Sequence, residues 1–302
     1  MIKAGAMAGP RVFSTGYILY GAENAEKAVI NNYDDARARL ARLKAVGAFS
    51  VKSYNQPCRN QRQQIIKAAR DLQMMVVPEG GSTYFYNMTH ILDGHTGIER
   101  AIPVAPLYKD ALTLLAKSHT GYTPTLIVGY GGIWGENYWH QHSDVWKNER
   151  LMRFTPRSVV DPQARRRMMA PEDDFYHFDL AKSARDVMRT GGKVQLGAHG
   201  QLQGLGAHWE LWMLQQGRMT PLEAIRCATL YGAQYLGVDR DIGSLEVGKL
   251  ADLVVMDKNP LENIRNTESI RLVMINGVLY DTANMDEIYP EAKPRTKFFW
   301  ER

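Results

Sequence analysis

The chain has 302 residues, 45% hydrophobic and 23% charged, with 37 basic and 32 acidic side chains giving a net charge of +5. That composition supplies an ordinary globular core. The basic residues are scattered apart from short runs such as Arg165-Arg166-Arg167, so no nucleic-acid-binding stripe is indicated and that run reads as a solvated loop. No apolar run approaches the ~20 residues needed to span a bilayer. Residues 1–10 lack the charged-then-apolar order of a signal peptide and read as the tail of a helix. The compartment stays open: cytoplasmic as the chain stands, periplasmic for a longer parent. Two distant cysteines, Cys58 and Cys227, make neither a disulfide scaffold nor a metal spacing.

Short β-rich runs alternate with helical periodicity, the pattern of parallel βα units. Strands are expected at residues 11–14, 48–53, 74–77, 97–102, 123–128 and 193–197. Helices are expected at 33–46, capped by Asn32 or Asp34, and at 61–72, 106–118 and 207–216. Residues 130–174 form a long insert carrying Trp134, Tyr138, Trp139, His140, His142 and Trp146. It reads either as a lid or substrate wall, or as an ordered surface loop. Thr220-Pro221 starts a helix running to about Leu236. Strands follow at 251–256 and 270–275, and Asn276-Gly277 signals a hairpin turn into Val278. The last ~15 residues read as an extended tail, by the scarcity of strand pattern around Pro290 and Pro294.

Residues 243–257 read Gly-Ser-Leu-Glu-Val-Gly-Lys-Leu-Ala-Asp-Leu-Val-Val-Met-Asp. With the preceding helix from Met219 to Ala233 and the hairpin Asn276 to Tyr280, this run resembles the C-terminal signature of the amidohydrolase superfamily. It is most similar to the imidazolonepropionase-like and prolidase-like branch, and within it to bacterial members that carry a β-propeller ahead of the amidohydrolase domain. The barrel-like segment from Gly9 to Gly197 matches in order. The resemblance implies an α/β fold: an incomplete TIM-type barrel (about strands 3–8) over residues 1–240, with the insert inside it. A small C-terminal β element from the family's composite β-sandwich, with a tail, then spans residues 241–302. The N-terminal part of the family domain, with its His-x-His, is expected to be missing.

The family hydrolyses amide, ester or lactone bonds with a water activated by one or two divalent metals, often zinc. Carried over strand by strand, Lys52 falls where the family has a carboxylated lysine, and Glu79 stands in place of a histidine. Arg100 stands where a second histidine is expected and cannot ligate, because a guanidinium offers no lone pair. His199 stands in place of the final aspartate. The resemblance therefore implies at most one ion on Lys52, Glu79 and His199, with His199 also a candidate general base and Arg100 a carboxylate or oxyanion partner. Lys52, Glu79 and Arg100 are equally readable as a salt-bridge cluster in place of a metal, so the cofactor is a divalent metal or none. Tyr54, Asn55 and Tyr130 follow strands and are expected to line the pocket. His90 and His95 read as lying at the far end of their strand, His208 and Cys227 as structural, and His140 and His142 as able to reach the mouth.

The leading function is thus a metal-dependent hydrolase of a small molecule or short peptide. The alternatives are a dismantled fragment that needs a partner and a binding protein without chemistry. An open barrel would expose strand edges, so a homo-oligomer covering them is expected.

Overall fold

In a computed structural model, residues 2, 7–23, 27–298 and 300–301 are described. Much of the stretch read as a helix tail, residues 1 and 3–6, lies outside the described residues. The first strand, β1, is Leu19–Tyr20, not residues 11–14. Among the described residues, those at 11–14 have no strand partner: Val12 and Phe13 are 66% and 62% exposed, and Arg11 is tied by an ion pair to Asp252.

Helix α1, Tyr33–Ala45, begins where the Asn32 side chain accepts the Asp35 N–H at 2.9 Å, satisfying one otherwise orphaned donor. Its buried Ala36, Leu40 and Leu43 fall on one face at helical spacing. That face covers the next strand, β2 (Ser50–Tyr54), whose Val51 is fully buried. Helix α2, Arg59–Asp71, buries Ile65, Ile66 and Ala69 beside β3, Met75–Pro78. Helix α3, Tyr84–Asp93, was not expected from its aromatic and Asn-containing sequence, which disfavours helix. Burial of Asn87, Met88, His90 and Ile91 outweighs that propensity. Strand β4 is Gly97–Glu99, helix α4 is Lys109–Ser118 and strand β5 is Gly121–Thr123.

Both β4 and β5 are shorter than their apolar runs. Arg100 turns left-handed at φ 85° and Thr125 at φ 50°, which ends the pleat. Residues 126–128 form a single 3-10 turn. The N–H groups of Leu126 and Ile127 donate to the two carboxylate oxygens of Glu210, at 2.7 and 2.9 Å.

The insert carries α5 (Gly135–His142), α6 (Glu149–Phe154) and α7 (Arg157–Arg165). Its Trp139, Val145, Leu151 and Val160 join the main core, so it is packed structure and not a surface loop. Helix α8, His177–Arg189, also not expected, buries Leu180, Ala184 and Val187. Strand β6 is confined to Lys193–Val194, and α9, Leu205–Gln216, is buried almost all round. The expected helix after Thr220 is two, α10 (Pro221–Ala228) and α11 (Leu230–Leu236), broken at Thr229. Its start is as read: Thr220 and Glu223 cap each other and Pro221 opens the first turn.

Strands β1, β2 and β3 pair in parallel in that order, as do β4, β5 and β6. A parallel bridge between Glu79 and Glu99 joins the two series. The result is a mixed α/β fold in which β1 to β6 point their C-terminal ends the same way. The C-terminal element is an antiparallel meander of β7 (Leu253–Met256), β8 (Ile270–Ile275), β9 (Val278–Asp281) and β10 (Glu287–Tyr289). Asn276 and Gly277 both take positive φ, 52° and 82°, the conformation a two-residue hairpin needs. Strand β10 replaces part of the expected tail, with Glu287 opposite Tyr280. Among the described residues no helix is long and apolar enough to cross a membrane.

Tyr235 of α11 reaches between β4 and β5, where Gly97 and Gly121 leave a slot; a methyl group at either glycine would overlap its ring. Its hydroxyl donates to the buried Glu99 carboxylate at 3.0 Å.

His90, His95, His177 and His208 are all held neutral by burial, which lowers His90 to about 2 and the other three to about 4. The unfolded chain binds protons at these rings below about pH 6.5 while the folded chain does not. Their contribution is therefore complete above that pH and lost as pH falls toward 4, by about 1.4 kcal/mol per pH unit for each ring. Melting temperature should fall steadily from about pH 7 to about pH 5. A flat profile in differential scanning calorimetry would contradict this account.

Candidate active site

The C-terminal ends of the parallel strands bring distant residues to one mouth. Lys52 lies within β2, opposite Val77 of β3. Glu79 follows β3, Arg100 follows β4, and His199 lies five residues beyond β6. Tyr54 ends β2, and Tyr130 follows the turn after β5.

Glu79 is the centre of this group. Its Oε2 meets the Lys52 ammonium at 2.6 Å and its Oε1 accepts from Arg100 Nε at 3.1 Å. Arg100 continues outward, with Nη2 2.6 Å from His199 Nε2 and Nη1 3.4 Å from the Val128 carbonyl. Its guanidinium lies 5.4 Å from the centre of the Tyr130 ring, and Lys52 sits 4.9 Å from that of Tyr54. Tyr20 packs on Tyr54 with ring centres 4.8 Å apart. Burial, then the Glu79 charge, pushes the Tyr54 hydroxyl above its ordinary range. Burial does the same at Tyr130, with Arg100 opposing it. These tyrosines are therefore neutral walls. Asn55 sits beside Tyr54 with φ 50°.

The backbone is unusual at the same places. Asn55, Arg100, Thr125 and His199 all have φ between 50° and 85°, following β2, β4, β5 and β6 in turn. A left-handed residue other than glycine costs roughly 1–3 kcal/mol and persists where the surroundings determine it.

Three residues not singled out from the sequence complete the surroundings. Gln201 accepts from His199 Nδ1 at 3.0 Å and donates to Glu136 of α5 at 3.2 and 3.3 Å. Glu136 is buried, which pushes its carboxyl up while Gln201 and His199 pull it down. Glu99, the last residue of β4, is also pushed up by burial, with Thr123, Tyr235 and Lys52 opposing. Glu99 could have been found as the acidic residue closing an apolar strand run; Glu136 depends on how the insert folds. His140 and His142 belong to the insert itself: His140 packs edge-on to Trp209, and His142 stacks on Tyr138 at 4.1 Å. His90 and His95 precede β4 at its N-terminal end, with His95 Nδ1 on the His90 carbonyl at 3.0 Å. His208 meets Thr267 and Cys227 is buried core. A cavity of about 810 Å³ lies elsewhere, between Leu151 and Phe154 of the insert and Val273 and Tyr280 of the meander. It is lined by none of the cluster residues.

Residues 197–280 match the amidohydrolase family. Guanine deaminase of Escherichia coli (strain K12) is 37% identical over 101 residues, 32% of this chain and 23% of that protein. Imidazolonepropionase of Geobacillus sp. (strain WCH70) is 34% identical over 115 residues, 36% of this chain and 26% of that one. A Xaa-Pro dipeptidase crystallised with methionine in its active site superposes with a TM-score of 0.67 at 22% identity, covering 93% of this chain and 70% of that one. These likenesses, carried most specifically by residues 197–280, are consistent with the amidohydrolase superfamily. The A. niger ochratoxinase has a similar fold, with a TM-score of 0.64 at 18% identity over 93% of this chain and 68% of that one. Matched segments span about a quarter of the curated relatives' length.

Amidohydrolases usually bind a divalent metal. The expected ligands Lys52, Glu79 and His199 are brought into one cluster, but their donor atoms do not converge. Both Glu79 oxygens face cations, and His199 Nε2 faces the Arg100 guanidinium. An ammonium has no lone pair to offer. Among the described residues no three His, Cys, Asp or Glu side chains form a metal-holding group. As arranged, the donor set does not fit a divalent ion.

Glu79 is only 12% exposed and Arg100 13%. Glu79→Ala would strand two cations and should cost about 3–5 kcal/mol in urea unfolding. Lys52→Ala, at a one-third exposed side chain, should cost under about 1 kcal/mol. Equal losses would contradict the central place of the carboxylate.

Proposed function

We propose that this amidohydrolase-type chain hydrolyses an amide, ester or lactone bond in a small molecule or short peptide that carries a carboxylate. The observation carrying this reading is the contact between Arg100 and His199 at the mouth, beside Lys52 and two neutral tyrosines. A substrate carboxylate competes with His199 for the Arg100 guanidinium, whose planar donors match it. Its binding leaves the His199 Nε2 lone pair available. His199 then takes a proton from water as the oxygen attacks the substrate carbonyl, and returns it to the leaving group as the tetrahedral adduct collapses. Lys52 lies close enough to the same mouth to offset the negative charge that develops on the carbonyl oxygen.

The test is hydrolysis of a panel of N-acyl amino acids, dipeptides, lactones and esters, with metal content measured by elemental analysis before and after chelation. Turnover should survive chelation and fall by about 100-fold or more in His199→Ala. Arg100→Met should raise KM for carboxylate-bearing substrates more than for neutral ones. About one tightly held ion per chain, lost together with activity in Lys52→Ala, would move the nucleophile onto a metal-bound water. Absence of turnover across the panel would overturn the reading.

A second copy of the chain is proposed to cover the apolar surface ahead of β1, whose outer edge Lys27 already bridges at Tyr20. Val12, Phe13 and Tyr17, exposed at 66%, 62% and 78%, precede this outermost strand of its sheet, and exposed apolar surface beside a strand edge favours association. Sedimentation equilibrium should give a multiple of the chain mass that drops to one chain in Phe13→Asp. A wild-type monomer would remove this proposal.

A further inference from the structure

His199 is gripped from two sides by groups whose hydrogen-bonding character leaves little choice. On one side Arg100 Nη2 lies 2.6 Å from Nε2. A guanidinium only donates, so Nε2 must be the accepting nitrogen. On the other side Gln201 Oε1 lies 3.0 Å from Nδ1, while Gln201 Nε2 spans both oxygens of Glu136 at 3.2 and 3.3 Å. A carboxylate only accepts, so it turns the NH₂ end of the Gln201 amide toward itself. The amide oxygen is then left facing Nδ1, which must carry the proton. Glu136 is 5% exposed, on a helix of the insert about sixty residues from His199 in the chain. Left-handed backbone at His199 and Gly200, with φ 54° and 73°, aims the ring between the two grips.

We propose that Glu136, acting through Gln201, is a positioning residue that fixes His199 as the neutral Nδ1–H tautomer with its Nε2 lone pair toward the mouth. This gives the insert a chemical role: it orients the ring that the hydrolase reading uses as base. The consequence for catalysis rests on that reading, whereas the tautomer itself does not. Imidazole side chains in water favour the opposite, Nε2–H form, so the preference must come from the surroundings.

Glu136→Gln tests this with nearly the same shape. An amide at 136 can donate as well as accept, so Gln201 is free to flip and present its NH₂ to His199. Ring-nitrogen chemical shifts from long-range proton–nitrogen NMR read the tautomer directly, with the His199 signals assigned by their loss in His199→Asn. Wild type should show the Nδ1–H form alone near neutral pH. Glu136→Gln should shift the tautomer ratio toward Nε2–H by about tenfold, the worth of one charge-assisted hydrogen bond. Gln201→Met, at a partly exposed position, should do the same and carries the test if the first variant does not fold. Nε2–H in wild type, or an unchanged ratio in the variants, would overturn the proposal. The spectra need no substrate, so a failure of the tautomer and a failure of the hydrolase reading are seen separately.

Discussion

One carboxylate shared between two cations organises the mouth of this protein. Glu79 sits at the end of its strand with Lys52 on one oxygen and Arg100 on the other. Taking such charges from water is costly, and their mutual attraction offsets the cost only when geometry and hydrogen bonding are both good. Arg100 meets that condition through Glu79, the Val128 carbonyl and His199. The position of His199, and through it Gln201 and Glu136, is thus referred back to a pair of ionic contacts between neighbouring strands. The left-handed turns at Asn55, Arg100, Thr125 and His199 are where the chain leaves the sheet to reach this arrangement.

Much of the scaffold was legible because it follows from local rules. Asn32 before an amphipathic run, Thr220-Pro221 with Glu223, and Asn276-Gly277 between β-branched residues each specify an element with little help from elsewhere. The failures come where tertiary contacts decide. Residues 11–14 have strand composition but, among the described residues, no partner to pair with. The run at 123–128 looks continuous, yet it breaks because Glu210, far along the chain, captures the two N–H groups that a strand would use. Helix α3 forms against its own propensity because its apolar face is buried.

At the site, strand ends were legible and cross-chain partners were not. Lys52, Glu79, Arg100 and His199 could be placed because each lies in or just after a recognisable strand run, and the structure brings all four together. Their use of one another was visible only as alternatives, since a sequence does not say whether Glu79 faces a cation or an ion. Glu136 gave no local sign: it lies in an insert whose path over the mouth is set by the packing of Trp139 against Trp209 and Trp212.

The slot filled by Tyr235 has an evolutionary consequence. Gly97 and Gly121 are empty of side chains only because one ring from α11 occupies the space both would use. Three positions, spread over more than a hundred residues, therefore share a single volume. Drift at any one of them is confined until another changes in the opposite sense, so substitution here must proceed by compensated pairs. The ring also brings its hydroxyl to Glu99, so a compensating exchange has to supply a polar partner as well as bulk. The last helix before the meander is bound to the strands by this shared volume, and its sequence cannot vary independently of theirs.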